Sequence, residues 1–304
     1  MVTDAIIELT DLHKYYGKVH ALRGLNLAVR PGEVFGFLGP NGAGKTTTIR
    51  CMLDLIRPNR GTIKIMGINP QQEPQQVKAK LGYLPGDLAM AGDFTPRKFL
   101  RYLRKLRADT RSWEELLGIA QRLDLSLDQK IETLSQGNRQ KVGLLSCFIG
   151  RVPLMMLDEP TLGLDPLMQQ EVLNIIREEA NQGTTIFFSS HILSEVQKIA
   201  DRVGIIRQGA LVEIAQTDDL INRALTRASV QFAEPVPDTS FDHLANIKIL
   251  RINDEQRSYT LEVAGEMDGL IKTLAQFPVR DLEIHRPSLE EVFLKYYKDD
   301  QGEE

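Results

Sequence analysis

The chain runs to 304 residues, 42% hydrophobic and 26% charged, with a net charge of −4, a balance that suits one large soluble domain plus a small one. An acidic chain is not expected to take nucleic acid as a partner, because such binders are usually basic overall, and no apolar run reaches the length of a membrane span. The start, Met1-Val2-Thr3-Asp4, lacks the basic-then-apolar order of a secretory leader, so the expected setting is cytoplasmic, with any membrane role supplied by a partner.

In chain order, Ile6-Ile7-Glu8-Leu9 and Leu25-Asn26-Leu27-Ala28-Val29 alternate as strands and are expected to flank a third, buried strand over Glu33 to Leu38. That strand runs into Gly39-Pro40-Asn41-Gly42-Ala43-Gly44-Lys45-Thr46, which reads G-x-x-x-x-G-K-T, the cradle of a nucleoside triphosphate. Glycines let successive backbone N–H groups turn inward on phosphate oxygens. Lys45 places a point charge on the β/γ-phosphates, and the Thr46 hydroxyl suits Mg²⁺. A helix over Thr46 to Leu55 would aim the positive end of its dipole at the same place. Thr62 to Met66 and Leu81 to Pro85 read as further strands. Cys51 and Cys147 lie in apolar sequence without metal spacing, the pattern of reduced, buried thiols.

From Thr95, an N-cap followed by Pro96 at the first helical position, the pattern is helical through Ile149. The stretch 87–150 reads as an insertion beside the sheet. Leu154-Met155-Met156-Leu157 is a hydrophobic strand that delivers Asp158 and Glu159 to its C-terminal edge, where phosphate chemistry sits in open α/β sheets. Asp158 suits the Mg²⁺ shell and Glu159 suits polarising an attacking water. A helix over Met168 to Glu179 leads to a second buried strand, Thr184 to Phe188. Alternating strands and helices imply a mostly parallel sheet with helices on its faces. Beyond about Leu220 the character changes. Glu234-Pro235-Val236-Pro237 breaks the regularity, Ser258 to Val263 alternates as a strand, and Glu266 to Gln276 and Ser288 to Tyr297 read as helices, the second opening with a capping box from Ser288 to Glu291. Its Leu289, Val292, Phe293 and Tyr296 form an apolar face. The expected division is therefore 1–222 and a small α+β unit over 223–304.

With these motifs in place, the sequence resembles the ATP-binding subunits of ABC transporters over approximately residues 3 to 220. Leu134-Ser135-Gln136-Gly137-Asn138-Arg139-Gln140 is similar to the family's L-S-G-G-Q segment, keeping Ser135 and Gly137 and departing at Gln136 and Asn138. In the family this segment contacts ATP held by the opposite subunit. Ser135 would also cap the helix that follows. Tyr16 matches the aromatic that stacks on adenine, with Tyr15 the other candidate, and Thr47 joins the implied nucleotide contacts. Leu164-Asp165 matches a dimer-contact loop. His191, after Ser189-Ser190, matches the histidine that contacts the γ-phosphate, whereas His13, His20, His243 and His285 read as structural. The tail Arg286 to Phe293 is similar to the C-terminal extension of drug and antibiotic export ATPases. The resemblance implies an α/β P-loop NTPase with an antiparallel N-terminal β region and a helical subdomain. It also implies ATP and Mg²⁺, a separate membrane-spanning permease and a second ATPase subunit, homomeric or heteromeric.

Two other readings are weaker. A soluble ABC-type ATPase of chromosomes or ribosomes would carry a long coiled coil between Thr46 and Asp158, or two ATPase units in one chain, and neither is present. A small-molecule P-loop kinase would leave Ser135, Gly137 and His191 unexplained. Gly86 stands where the family carries a glutamine that touches Mg²⁺ and the attacking water, so a water or Asp87 would take that place. Arg97, Lys98, Arg101, Arg104, Lys105, Arg107 and Arg111 crowd one helical stretch, either as a solvated face or as a surface for anionic headgroups.

Overall fold

The computed structural model describes residues 5–107, 111–223, 226–253 and 256–285. The expected helix over Ser288 to Tyr297 and the tail resemblance from Arg286 to Phe293 lie outside the described residues. The chain forms two compact units, Met1–Ala215 and Gln216–Glu304.

In the first unit, β1 (Ile7–Tyr16), β2 (Val19–Val29) and β4 (Arg60–Ile65) make an antiparallel sheet in the order β2-β1-β4. Ile7 stands opposite Val29 on one side and Ile65 on the other, so apolar residues from all three strands share one face. Two expectations are corrected here. Both early strands extend well beyond the alternating stretches, and neither pairs with the phosphate-loop strand. Irregular register between Leu9 and Leu12 breaks the period-2 pattern, yet the backbone ladder resumes at Leu12 and continues through His13 and Lys14 to the end of β1.

The second sheet holds β3 (Val34–Leu38), β5 (Leu81–Leu84), β6 (Leu154–Asp158), β7 (Thr185–Ser190), β8 (Arg202–Arg207) and β9 (Ala210–Gln216). Its order is β5-β6-β7-β3-β8-β9, and β5 through β8 pair in parallel. All of β3, β6 and β7 is buried, as expected where both faces are covered. Phe35 and Phe187 stack at 5.8 Å between centroids, each such ring contributing roughly 1.5–3 kcal/mol by burial. The helices α1 (Lys45–Met52), α6 (Pro166–Asn181) and α7 (Leu193–Ile199) follow strands of this sheet, and α2 (Pro74–Ala79) leads into its strand β5. The expected helix to Leu55 ends earlier because Asp54 takes a left-handed φ of 50°.

Between β5 and β6 lie α3 (Pro96–Lys105), α4 (Trp113–Arg122) and α5 (Gln136–Cys147), with a 3₁₀ turn over Ile131–Thr133. Thr95 caps α3 by accepting from the Lys98 N–H, as expected. The crowded basic stretch is largely spent on the protein itself. Arg97 is bidentate to Asp128, Arg101 and Arg104 lie over the Trp113 ring, Arg107 donates to Leu81 O, and buried Arg111 pairs with Glu179. Cys51 and Cys147 are buried thiols, and burial lifts them to about 11 and about 12.

The second unit contains α8 (Thr217–Arg223), β10 (Thr226–Phe232), a 3₁₀ turn over Asp238–Phe241, β11 (Ile247–Asn253), β12 (Ser258–Val263), α9 (Asp268–Leu274) and β13 (Val279–His285). Its antiparallel sheet runs β11-β12-β10-β13. Val230, Phe232, Tyr259, Leu261, Leu270 and Leu274 form its core. The Tyr259 hydroxyl donates to Val236 O, inside the stretch whose prolines interrupt the pattern.

Candidate functional site

Parallel register puts three strand ends side by side. Leu38 is level with Ser190, and Ser189 is level with Asp158. The phosphate loop, the carboxylate pair and the Ser-Ser-His turn therefore emerge together, at the edge where ligands bind in open α/β sheets.

Gly44 caps α1 with φ 112°, a conformation open to glycine, and supplies no side chain to the first-turn N–H groups. Those donors are left for an anion. Lys45 is 5% exposed. Its Nζ donates to Gly39 O at 2.6 Å and Pro40 O at 3.2 Å, and lies 3.2 Å from Glu159 Oε1. Gly39 and Ala43 are buried, Pro40, Gly44, Thr46 and Thr47 half-buried, and Asn41 and Gly42 exposed.

Asp158 is fully buried. Its Oδ1 accepts from Ser189 Oγ at 2.5 Å, while Oδ2 has no hydrogen-bond partner. Gly86 sits against this orphaned atom: a Cβ at 86 would come within 3.1 Å of Oδ2. Glu159 has a left-handed φ of 51°, a strained state for a non-glycine residue that costs about 1–3 kcal/mol and persists only when its surroundings enforce it. They do so through its N–H, which donates to Ser189 Oγ at 3.0 Å and Ser189 O at 3.2 Å, and its C=O, which accepts from Gln140 Nε2 at 2.9 Å. The turn directs Oε2 to His191 Nδ1 at 2.8 Å and Oε1 toward Lys45. Lys45, Glu159 and His191 thus form one polar set, able to hold a phosphate and take a proton from a water beside it.

Other expected residues make no described hydrogen bond or ion pair to this set. Ser135 caps α5, its Oγ accepting from Asn138 N at 3.2 Å. Gly137 packs so closely that a Cβ would fall 2.7 Å from Gly163 O. No described hydrogen bond or ion pair joins Ser135 or Gly137 to the phosphate loop. Tyr16 ends β1, half exposed with Lys14 Nζ 5.2 Å from its centroid, whereas Tyr15 stacks on His20 at 4.0 Å. His20 meets His13, which meets Asp11. Asp165, the nearest alternative base in sequence, caps α6 by accepting from Met168 N at 3.0 Å.

A family model described as ABC transporter matches residues 22–162. The daunorubicin resistance ATP-binding protein DrrA3 of Streptomyces coeruleorubidus is 32% identical over 99% of this chain and 98% of its own length. The chain belongs to the ATP-binding subunits of ABC transporters. It is an ATPase of that family, and among its relatives it resembles the drug and antibiotic export branch. The linearmycin resistance ATP-binding protein LnrL of Bacillus subtilis is 28% identical over 95% of this chain and 97% of its own. A solved ATP-binding subunit of an ABC transporter superposes with a TM-score of 0.65 at 29% identity, covering 71% of this chain and 91% of that one.

Within this ABC subunit, the polar groups that sequence reasoning passed over are Gln140, Thr161, Ser189, Ser190 and Glu195. All five are buried, and each hydrogen-bonds within or beside the turns that carry Asp158, Glu159 and His191. Their residue types were visible, but their partners are not readable from spacing along the chain.

Proposed function

We propose that this ABC ATPase powers export through a separate membrane-spanning permease, with residues 1–222 as the ATP-binding domain, 87–150 as its helical subdomain and 223–304 as an accessory domain. The single observation that carries the catalytic reading is the joining of Lys45, Glu159 and His191 at adjacent strand ends. Glu159 accepts the proton of the attacking water, a contribution of about 10² to 10⁴ in rate. Lys45 and the loop amides neutralise the phosphate, and His191 orients Glu159 and the γ-phosphoryl group. Tyr16 supports the adenine.

The donor set suits a hard divalent cation. A buried carboxylate oxygen without a partner, as Asp158 Oδ2 is, costs several kcal/mol unless something compensates it. Thr46 and Asp158 would hold Mg²⁺, which when bound neutralises charge on the β/γ-phosphates. Gly86 offers no ligand, so water completes that side.

No described helix is long and apolar enough to cross a membrane, and the proposed location is the inner face of the cell membrane, reached through the permease. The exposed Ser135 cap, which no described hydrogen bond joins to its own phosphate loop, supports a pair of ATPase subunits that share each nucleotide. Glu159→Gln keeps size and hydrogen bonding but removes the base. It is expected to retain ATP binding and to lose turnover by about 10² or more, and unimpaired turnover would move the base elsewhere. A mixture of Lys45→Ala and Ser135→Arg chains should recover activity at one hybrid site. Mixed dimers no more active than either parent would rule out sharing.

A further inference from the structure

We propose that Glu195, on α7, is a positioning residue that sets the distance between Glu159 and His191, an inference that rests on the catalytic reading of those two residues. Glu195 is 3% exposed. Its Oε1 accepts from Thr161 Oγ1 at 2.5 Å and its Oε2 from Ser190 Oγ at 2.6 Å. Thr161 follows Glu159 by two residues, and Ser190 immediately precedes His191. His191 Nδ1 in turn lies 2.8 Å from Glu159 Oε2. These contacts close a ring: Glu159, Pro160 and Thr161 by backbone, across to Glu195, across to Ser190, by backbone to His191, and back to Glu159.

Two features mark the ring as more than packing. The neighbours of Glu195 on the buried side of α7 are Leu193, Val196 and Ile199, so an apolar side chain would fill the same volume without the cost of burying a carboxylate. The two turns it joins are tied upstream by the β6–β7 register and the Glu159 N–H bond to Ser189 O, and Glu195 adds a second tie two residues after Glu159 and one before His191. Thr161 and Glu195 are 34 residues apart, whereas Ser190, at the end of β7, precedes Glu195 by 5. Ser190 Oγ also accepts from Ile192 N at 2.9 Å, and its 2.6 Å contact to the carboxylate is shorter than its 3.3 Å contact to Ile192 O. With Glu195 in place, a shift of the Thr161 loop is passed to the His191 turn rather than absorbed. Without it, the two turns are coupled by the Glu159–Ser189 and Glu159–His191 hydrogen bonds alone, and a displacement of about 1 Å in such a pair can cost up to about 10²-fold in rate.

The test uses the full chain with ATP and Mg²⁺, comparing Glu195→Ala, Glu195→Gln, Thr161→Val and Glu159→Gln for kcat, KM, ATP affinity and thermal midpoint. Glu195→Ala is expected to lower kcat by about tenfold or more with ATP affinity within about threefold. Glu195→Gln should restore most of kcat, because its oxygen accepts from one hydroxyl and its NH₂ donates to the other. Thr161→Val keeps volume and should reproduce part of the loss, adding nothing in the presence of Glu195→Ala. Should Glu195→Ala fail to fold, Thr161→Val and Glu195→Gln carry the same kcat-against-affinity comparison. Unchanged kcat in folded Glu195→Ala or Thr161→Val, or equal falls in kcat, affinity and midpoint, would overturn the proposal. An inert Glu159→Gln beside an unimpaired Glu195→Ala would overturn the Glu195 role alone. Full turnover in Glu159→Gln would overturn the catalytic reading and this inference with it.

Discussion

The two sheets that anchor the two units differ in what they bury. At the C-terminal edge of β3, β6 and β7 the protein encloses Lys45, Asp158, Thr161, Ser189, Ser190 and Glu195, whereas in the second unit the buried polar or charged side chains among the described residues are Thr217 and Thr273. A buried polar group destabilises unless partnered, so the first sheet spends stability on an arranged set of charges. The second uses its interior mainly for apolar packing, with no buried charged side chain among the described residues. The one group left without a partner at the sheet edge, Asp158 Oδ2, is where a cation would complete the account. The difference teaches where to look for function: in interior polarity, rather than in the amount of core.

If that contrast is right, the two regions should fail differently. The largest stability effect is expected from Phe232→Ala, which removes a ring packed edge-on against Tyr259 and Phe277 and should cost the second unit about 3–5 kcal/mol. Hydrogen exchange of strands β10 and β12 would report it. A loss under about 1 kcal/mol would show that this core is not the stabilising element of its unit.

A smaller stability effect with a disproportionate loss of activity is expected from Ser189→Ala. The change strands Asp158 Oδ1 and removes one of two acceptors of the Glu159 N–H, costing about 1–3 kcal/mol. Because it loosens Asp158 and Glu159 together, the proposed metal and base roles of this pair require that turnover and the Mg²⁺ concentration needed for half-maximal rate both suffer. A Ser189→Ala protein that loses stability but keeps its Mg²⁺ dependence would reduce the site to ordinary packing.

The smallest effect belongs to the surface. Arg122 bridges α4 to Glu171 and Glu178 on α6, and its hydrogen bond holds the Glu178 carboxyl below its ordinary value of 4.5. A depressed carboxyl contributes stability above its unfolded value, and that contribution is lost as pH falls through the folded value. Glu178 is half exposed, so the pair is worth only about 0.2–1 kcal/mol. Arg122→Ala should lower the thermal midpoint slightly at neutral pH, with the difference from the parent vanishing under acid. A difference that persists in acid would assign the effect to lost packing of the Arg122 stem.

Much of the site was written contiguously. The Gly39 to Thr46 loop, the Asp158-Glu159 pair on its hydrophobic strand, the Ser135 cap and His191 at a strand end are each local patterns, because phosphate cradles, caps and strand ends are built from neighbours in sequence. The parallel core was legible for the same reason, through runs such as Leu154 to Leu157. The long β1–β2 ladder was not, since its irregular register erases the alternation on which a strand is recognised. Nor was the fate of the basic stretch, whose guanidinium groups find Asp128, Trp113, Leu81 O and Glu179 from distant segments.

By itself, then, the sequence determined the chemistry available: a phosphate loop, two carboxylates, a histidine and a glycine where a glutamine is customary. Only the tertiary structure decided how those groups face one another. Ser189 meets Asp158 across 31 residues because β6 and β7 pair in one particular register. Gln140 reaches Glu159 O from another element, and Glu195 adds a side-chain link between two turns that the Glu159 N–H to Ser189 O bond already joins. Hydrogen bonds are short-ranged and directional, so they are fixed by the packing that brings distant strands level, which no local pattern encodes.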